Sequence, residues 1–389
     1  MLHKKPYITT LTPLRGIAAL LVLIFHSNLM VMPFNSSNVN FMSGWLWVDF
    51  FFVLSGFIIF YVYGESFKET ITTASYWKYI KARFARVYPL HFFTLIWCLI
   101  CAIVIIHSAN GIHPFFGDMF GPYSAIPSLL FIQSLGLYTT APLNTPSWSL
   151  STEWWVYMIF PLLVPFFARI KTVGILLTTL FIIGFFLFIK YFLGPISGPF
   201  TDGPPTLNVL TDFGIFRCLA GFLAGMLLYR IYEEGIAYTF FKQSWVFVVF
   251  FVGVIVAMVM KVEDILILAF FPFIILAAAY NNTSIKKVLD TTVLQRLGDW
   301  SFSIYMVHVP IMYLIWIYMA RINPEMFATF PPPPPDPATY PIGFMVCICI
   351  VAVTLQVASL TYRCVEVPAR DYLNRKQKSK ALEPVKAVS

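Results

Sequence analysis

The stretch LRGIAALLVLIFHSNLMVM, residues 14–32, is long and apolar enough to cross a lipid bilayer, yet it contains one imidazole, His26. Two later stretches repeat the pattern with a carboxylate: GWLWVDFFFVLSGFIIFYV contains Asp49, and PSWSLSTEWWVYMIFPLLV contains Glu153. A transmembrane helix needs about 20 mostly apolar residues. An ionisable group at that depth costs several kcal/mol and therefore usually faces the bundle interior. These three side chains are the first candidates for a functional site.

Composition places the chain in the same class. Hydrophobic residues make up 59% of the 389 and charged residues 11%, with a mean hydropathy of +0.78, whereas soluble domains contain roughly 45–50% apolar residues. The sequence predicts an all-α, polytopic membrane protein with about ten transmembrane helices. A shorter apolar stretch at 126–138, bounded by Pro127 and Gly136, is predicted to be re-entrant or interfacial. The predicted spans lie near residues 12–32, 44–63, 88–107, 150–169, 173–190, 212–231, 244–260, 264–280, 301–320 and 341–362.

The distribution of positive charge sets the predicted orientation. If both termini face the cytoplasm, 22 of the 26 Lys and Arg residues fall on cytoplasmic loops or helix ends, as the positive-inside rule requires. The predicted location is the cytoplasmic (inner) membrane. The net charge of +8 then reflects topology and contact with anionic membrane lipids, and no nucleic-acid partner is predicted. The predicted domains are a transmembrane domain, 1–370, and a basic cytoplasmic tail, 371–389.

All six cysteines lie within the predicted spans or at their edges. Their spacings include one CxxC and one CxC, but no His or acidic residue accompanies them at the same depth. Thiols that pack in the bundle or face lipid are therefore the preferred interpretation. The sequence predicts neither a disulfide nor a metal site.

His26 shares one helix face with a cation. Arg15 and His26 are 11 residues apart, which brings them within about 20° of the same face and about 16 Å apart along the axis. Asp49 lies near the outer end of the next, antiparallel helix, at a depth similar to that of His26. We therefore expect the Asp49 carboxylate to pair with the imidazole and to fix its tautomer, as a buried general base requires. Glu153, near the outer end of its own helix, is a candidate for the same layer.

The segment KARFARVYPLH carries Arg83 and Arg86, which are three residues apart and therefore neighbours on one helix face. Two guanidiniums suit a phosphate clamp, because each offers paired donors that match phosphate oxygens. Taken alone, such a run is more often the basic flank of a transmembrane helix. Together with Arg15 it predicts a polyphosphate ligand at the cytoplasmic face, with an arm of about 16 Å that reaches toward His26.

Seven blocks follow one another in an order typical of a known family. They are LRGIAALLVLIFH, WVDFFFVLSGFII, RFARVYPLH, PSWSLSTEWWVY, FRCLAGFLAGMLL, LGDWSFSIYMVHVP and VEVPAR. In this order they resemble the acyltransferase-3 family of integral-membrane O-acyltransferases, which modify bacterial polysaccharides, lipopolysaccharide O-antigen and related glycans. The resemblance covers roughly residues 10–370. Trp154 stands where many relatives carry a second acidic residue, a departure that leaves Glu153 in place.

The resemblance implies a reaction and assigns roles to residues. Members transfer an acyl group, most often acetyl, from cytoplasmic acyl-CoA to a hydroxyl of an extracytoplasmic carbohydrate. Acyl-CoA is thus the donor substrate, no permanently bound cofactor is implied, and the partners are the carbohydrate acceptor, membrane lipids and glycan-assembly proteins. The catalytic candidates are His26, Asp49 and Glu153, the acyl-CoA-binding candidates are Arg15, Arg83 and Arg86, and the other substrate-binding candidates are Trp148, Ser149, Arg217 and His308.

Two versions of the reaction and one rival function fit the sequence. His26 either removes the proton of the acceptor hydroxyl or first accepts the acyl group itself. Arg217 either pairs with Asp212 or lines the cavity, and His308 is either an interhelical polar contact or part of the pocket.

The rival function is a polytopic transporter or flippase for a glycan or lipid-linked sugar. Such folds commonly show repeated halves, and we find no internal repeat in the sequence.

Overall fold

The computed structural model describes residues 6–31, 41–109, 117, 120–137, 142–197, 205–322 and 340–380. Every secondary-structure element in these ranges is helical. Short 3-10 segments lie at Phe41–Leu46, Gly64–Ser66, Pro122–Ser124 and Gly194–Ile196, and π-helical turns lie at Ile189–Leu193 and Tyr362–Glu366. The α-helices are α1 (Leu11–Val31), α2 (Trp47–Tyr63), α3 (Thr73–Ser108), α4 (Ala125–Leu129), α5 (Ser147–Ala168), α6 (Thr172–Phe188), α7 (Gly214–Glu233), α8 (Tyr238–Phe241), α9 (Ser244–Val259), α10 (Asp264–Leu268), α11 (Phe270–Tyr280), α12 (Ser284–Leu289), α13 (Thr292–Asp299), α14 (Ser301–Ile322), α15 (Tyr340–Thr361) and α16 (Val367–Lys380).

Ten apolar helical segments account for the predicted spans. Eight are long and apolar enough to cross a membrane, and within the described residues two shorter apolar segments, Ser244–Val259 and Asp264–Tyr280, complete the set. Each predicted span falls on one of these segments, which confirms the prediction of an all-α, polytopic membrane protein. The stretch 126–138 does not form a spanning helix: α4 ends at Leu129, and residues 130–137 continue without helix. Residue 138 lies outside the described ranges.

Helix α3, which carries two of the predicted anion-binding arginines, has a well-defined start. The Thr72 hydroxyl accepts a hydrogen bond from the Ser75 backbone N–H (3.1 Å), and the Ser75 hydroxyl accepts one from the Thr72 backbone N–H (3.2 Å). This reciprocal capping satisfies two N–H groups that have no partner within the helix. The helix is 36 residues long, which is longer than a bilayer crossing requires.

The C-terminal helix, α16, follows α15 without an intervening loop. The π-helical turn Tyr362–Glu366 continues α15 into α16, which packs against α3. Glu366 is only 2% exposed, so this turn lies against the bundle. The predicted domain boundary between residues 370 and 371 falls inside α16, and residues 381–389 of the predicted tail lie outside the described ranges.

Helices α2 and α7 pack backbone against backbone at three glycines. A Cβ atom at Gly225 would overlap the carbonyl oxygen of Val53, and one at Gly56 would overlap the carbonyl oxygen of Phe222. Gly221 and Gly225 are four residues apart on α7, which gives a small-xxx-small surface of the kind that lets membrane helices approach closely. The absence of side chains at these positions therefore sets the spacing of the two helices.

We expect Gly225→Ala to separate α2 from α7 and to lower the thermal unfolding temperature of the detergent-purified protein, because the new methyl group meets backbone that cannot rotate away. Gly184→Ala is the matched control, since a Cβ at Gly184 has no heavy atom within 4 Å. That variant should unfold like the wild type. Equal unfolding temperatures for Gly225→Ala and the wild type would contradict the glycine-dependent packing.

Candidate active site

Charged side chains converge on a cavity between α1, α2, α3, α5 and α14. Three arginines line it, Arg15, Arg83 and Arg86, together with the carboxylate of Glu153. Its volume is about 130 Å³. The structure therefore brings together the three cations that the sequence predicted to act as one group, and their role in acyl-CoA binding stays a prediction. The wall that α2 contributes consists of Phe51, Phe52, Leu54, Ser55, Ile58 and Ile59.

Two of the three arginines are held by partners within the protein. Arg83 donates from Nη2 to the Tyr63 hydroxyl (2.9 Å), and its guanidinium lies 5.0 Å from the centre of the same ring. Arg86 forms an ion pair with Glu366, whose second carboxylate oxygen accepts a hydrogen bond from the Ser303 hydroxyl (2.9 Å). Glu366 belongs to the VEVPAR block, and sequence reasoning gave it no role. The available signal was a carboxylate close in the sequence to Arg363 and Arg370, in a segment that the sequence predicted to be cytoplasmic.

Glu153 lies with the arginines and not in the layer of His26. The Ser55 hydroxyl of α2 donates to Glu153 Oε1, and both residues line the cavity, whereas His26 and Asp49 do not. The expectation that Glu153 joins the layer of His26 and Asp49 is therefore wrong. Its position on α5, one and a half turns beyond the N-terminus, also places it too far along the helix to act as an end cap.

Asp49 pairs with Arg217 and not with His26, so the predicted Asp49–His26 pair is wrong. The guanidinium donates from Nε to Oδ1 (2.8 Å) and from Nη2 to Oδ2 (2.5 Å), and both side chains are 0% exposed. A bidentate arginine satisfies both carboxylate oxygens at once, which a single imidazole nitrogen cannot do. Similar depth along two helices limits which side chains can meet, but it does not determine which of them pair.

Two tryptophans enclose the ion pair. The Arg217 guanidinium lies 4.5 Å from the ring centre of Trp45 and 5.1 Å from that of Trp148, within the range of cation–π attraction. The alternative pairing with Asp212 is wrong, since Arg217 binds Asp49 while Asp212 accepts a hydrogen bond from the Ser197 hydroxyl (2.9 Å). Arg217 does not line the arginine-lined cavity either. Substrate contacts by Arg217 and Trp148 stay predictions.

His26 makes its side-chain contact with His308, a partner 282 residues away in the chain. His26 Nδ1 lies 3.2 Å from His308 Nε2 and 3.1 Å from the Val22 carbonyl oxygen, and the ring centres are 5.0 Å apart. His308 is 0% exposed, and its Nδ1 lies 3.3 Å from the Ile304 carbonyl oxygen. Sequence reasoning named both histidines for the site but did not pair them.

The hydrogen bonds assign one consistent set of tautomers for the neutral pair. A carbonyl oxygen can only accept, so His308 carries its proton on Nδ1 and donates to Ile304, which leaves its Nε2 as an acceptor. His26 must then carry its proton on Nδ1, where Val22 and His308 Nε2 both accept it. The Nε2 atom of His26 is left with a free lone pair, and this is the form that can act as a base or a nucleophile.

Tyr305 and Ser149 lie between the arginine-lined cavity and the histidine pair. Both line the cavity, and their hydroxyl oxygens are 2.7 Å apart. The Tyr305 ring centre lies 6.0 Å from that of His308. The cavity thus extends from the three arginines to within one aromatic ring of the pair, and the predicted site residue Ser149 lies at this junction.

These features define an integral membrane protein whose helices enclose a cationic cavity and, next to it, a buried histidine pair. Residues 10–358 match the family model Acyl_transf_3, described as Acyltransferase domain. The match covers most of the chain, and the chain therefore belongs to this acyltransferase family.

Curated relatives agree with this assignment. The chain is 29% identical over 274 residues to the acyltransferase MdmB of Streptomyces mycarofaciens, an alignment that covers 67% of this chain and 66% of MdmB. It is 22% identical over 395 residues to the O-acetyltransferase OatA of Staphylococcus aureus, which covers 95% of this chain and 58% of OatA. The chain thus spans somewhat less than two thirds of these relatives. No solved structure matches it.

Removal of one partner of the Asp49–Arg217 pair should destabilise the fold. Asp49→Ala leaves a guanidinium buried without its counter-ion, and we expect a loss of about 3–5 kcal/mol, seen as a lower thermal unfolding temperature in detergent. The matched control replaces both charges, with Asp49→Leu and Arg217→Met together, and should restore most of the lost stability. A double variant that is no more stable than Asp49→Ala would show that the single variant fails for another reason.

Proposed function

We propose that this protein is a membrane O-acyltransferase that moves an acyl group, in the first place acetyl, from acyl-CoA to a hydroxyl of an extracytoplasmic carbohydrate. The observation that carries the proposal is the His26 imidazole, whose Nε2 lone pair is free, beside a cavity lined by three arginines. Membership of the acyltransferase family supports acyl transfer. The printed names of the relatives, an acyltransferase and an O-acetyltransferase, support the choice of acetyl.

The arginine-lined cavity suits the donor. CoA carries several phosphate charges, and guanidiniums bind phosphate through paired, charge-assisted hydrogen bonds. Arg15 and His26 lie on one face of α1, about 16 Å apart along the helix, a length that an extended pantetheine arm can cover. In this proposal the arm passes Tyr305, and the thioester arrives beside the histidine pair. Phosphate binding at Arg86 then competes with Glu366, its partner in the structure.

The proposed reaction needs one base and no cofactor. His26 Nε2 takes the proton of the acceptor hydroxyl while the oxygen attacks the thioester carbonyl carbon. The C–O bond forms, the C–S bond breaks, and the CoA sulfur leaves with the electron pair and takes the proton from the imidazolium. In the alternative version His26 Nε2 attacks the thioester first and the acceptor then attacks the acyl-imidazole. His308 is a positioning residue in both, because its Nε2 holds the Nδ1 proton of His26.

For the orientation we propose that both termini face the cytoplasm and that the protein lies in the cytoplasmic membrane. The support is the charge distribution, in which 22 of 26 Lys and Arg residues lie on one side of the predicted topology. This orientation turns the arginine-lined end of the cavity toward the compartment that holds acyl-CoA.

The central test is acyl transfer by the purified full chain in proteoliposomes. With radiolabelled acetyl-CoA and a panel of neutral sugars and oligosaccharides, the proposal requires labelled product and free CoA. Labelled protein that accumulates without acceptor would identify the acyl-His version. Passage of a glycan across the vesicle membrane without consumption of acetyl-CoA would instead support a transporter.

Substitutions of His26 and His308 should distinguish the catalytic base, His26, from the positioning residue, His308. His26→Ala removes the lone pair and should abolish transfer. His308→Ala should lower kcat by roughly 10²-fold and leave the KM for acetyl-CoA unchanged, since the donor contacts are elsewhere. His308→Gln, whose amide oxygen can accept the His26 proton, should recover part of that loss. His107→Ala, at an exposed position of α3, is the control. Wild-type turnover in purified His26→Ala would defeat the mechanism.

Loss of a cavity arginine should weaken binding of the acyl-CoA donor and leave binding of the acceptor unchanged. We expect Arg83→Gln to raise the KM for acetyl-CoA by roughly tenfold to a hundredfold, the effect of one or two hydrogen bonds to a charged group. The acceptor KM should not change. Arg169→Gln serves as the control, because the Arg169 side chain is 67% exposed and lies outside the arginine-lined cavity. An equal effect of both substitutions would point to general surface charge.

A further inference from the structure

A second polar cluster, formed by His91, Gln133, Ser134 and Asn144, lies beside the histidine pair. These four side chains are at most 2% exposed, and none of them lines the arginine-lined cavity. The Asn144 side chain donates to the carbonyl oxygen of Met306 (2.9 Å), which lies on α14 between Tyr305 and His308. Asn144 therefore contacts α14 two residues before His308, the partner of the proposed base.

Three of these side chains have one polar atom fixed and another unpartnered, and Ser134 has only its unpartnered hydroxyl. His91 Nε2 bonds to the Ser128 carbonyl oxygen (2.8 Å), and Gln133 Nε2 donates to that of Ser147 (3.1 Å). Among the described residues, His91 Nδ1, Gln133 Oε1, Ser134 Oγ and Asn144 Oδ1 have no hydrogen-bond partner. A buried polar atom without a partner costs about 1–3 kcal/mol, so four together form a group that needs a polar ligand.

The fixed atoms determine which kind of ligand fits. Because His91 donates from Nε2 to a carbonyl oxygen, its Nδ1 is unprotonated and can only accept. The amide groups of Gln133 and Asn144 donate to carbonyl oxygens, which assigns their free atoms as oxygens. A ligand that contacts these atoms must therefore supply hydrogen-bond donors to three acceptors, and it can exchange either sense of hydrogen bond with the Ser134 hydroxyl. None of the four side chains is charged in this state, so the cluster offers nothing to a phosphate.

The backbone beside the cluster is irregular. Residues 130–137 are not helical, and Phe131 and Gly136 have φ values of +57° and +75°. Irregular backbone within a membrane is tolerated only where protein surrounds it or where it lines a polar cavity, and interrupted helices commonly form binding sites. The segment is anchored at the Phe131 carbonyl oxygen, which accepts from Ser151 (2.6 Å) and Trp155 (2.8 Å).

We propose that His91, Gln133, Ser134 and Asn144 form the subsite for the acceptor, and that its ligand is a neutral, polyhydroxylated molecule such as a sugar unit. Hydroxyl groups supply the donors that the three acceptor atoms require, and the Ser134 hydroxyl can serve in either sense. Because the four side chains are buried, binding of a sugar requires the residues around them to move. The role of this subsite in acceptor binding rests on the proposed function, whereas the class of its ligand is inferred from the hydrogen-bonding atoms alone.

Thiol labelling of Ser134→Cys tests the subsite without an activity assay. Ser128→Cys is the matched control, since Ser128 lies six residues earlier, at the end of α4, and is equally buried, but its hydroxyl donates to the Ser124 carbonyl oxygen (2.8 Å). Both variants carry Cys349→Ser and Cys364→Ser, which remove the two exposed native thiols among the six. The reagents are a glucose-bearing methanethiosulfonate, its small methyl analogue and its anionic sulfonatoethyl analogue, applied to folded protein in vesicles.

We expect the glucose-bearing reagent to modify Ser134→Cys roughly tenfold faster than Ser128→Cys, the effect of one to two hydrogen bonds, and faster than the anionic reagent does. Modification by the methyl reagent alone would mean that the cluster holds water only, and this would overturn the proposal. Equal rates for the two variants, or faster reaction with the anionic reagent, would also overturn it. Selective labelling in a protein that transfers no acyl group would retain the sugar subsite and reject the acyltransferase function.

Discussion

The buried ion pair between Asp49 and Arg217 is the constraint on which the cavity depends. Both side chains are fully buried, and an unpaired charge at that depth is strongly unfavourable, so α2 and α7 must remain in register. Glycines on both helices permit the close approach that the bidentate contact needs. Trp148 packs on the same guanidinium, which holds the start of α5 to the pair. Since α2 supplies most of one cavity wall and α5 supplies Glu153, the pair fixes the cavity without lining it.

Helix α14 connects the other parts of the site at successive depths. Ser303 bonds to Glu366, the partner of Arg86; Tyr305 faces Ser149 at the end of the cavity; His308 reaches His26. Charged groups thus lie beside the first residues of this helix, and Asn144 of the neutral cluster contacts it at Met306, between Tyr305 and His308. In the proposed function, this separation would direct an anionic donor to the arginines and a neutral hydroxylated acceptor to the neutral cluster, and only the region of His26 would be common to both.

Sequence alone predicted the elements better than their partners. The length and hydrophobicity of an apolar run can be determined from the sequence alone, so the eight long apolar helices, the two shorter ones and the absence of a spanning helix at 126–137 could be predicted directly. The convergence of Arg15 with Arg83 and Arg86 followed from helix periodicity and from a family pattern. The Asp49–Arg217 contact joins residues 168 apart, and the His26–His308 contact joins residues 282 apart. Such contacts depend on which helices are neighbours, and helical periodicity within one segment carries no information about that.

The commitment of Asp49 to Arg217 changes the chemistry expected of His26. A carboxylate partner would stabilise an imidazolium through its opposite charge. His308 instead offers only the lone pair of a neutral nitrogen. Positive charge on His26 is therefore weakly stabilised wherever it persists. The acyl-His intermediate begins as a cationic acyl-imidazolium and becomes neutral only when its Nδ1 proton leaves, whereas in direct transfer the charge exists only between proton removal from the hydroxyl and proton donation to the leaving sulfur. We infer that the histidine pair favours direct transfer, with donor and acceptor bound together, and this is the arrangement that a cationic cavity and a separate neutral cluster close to the pair would serve.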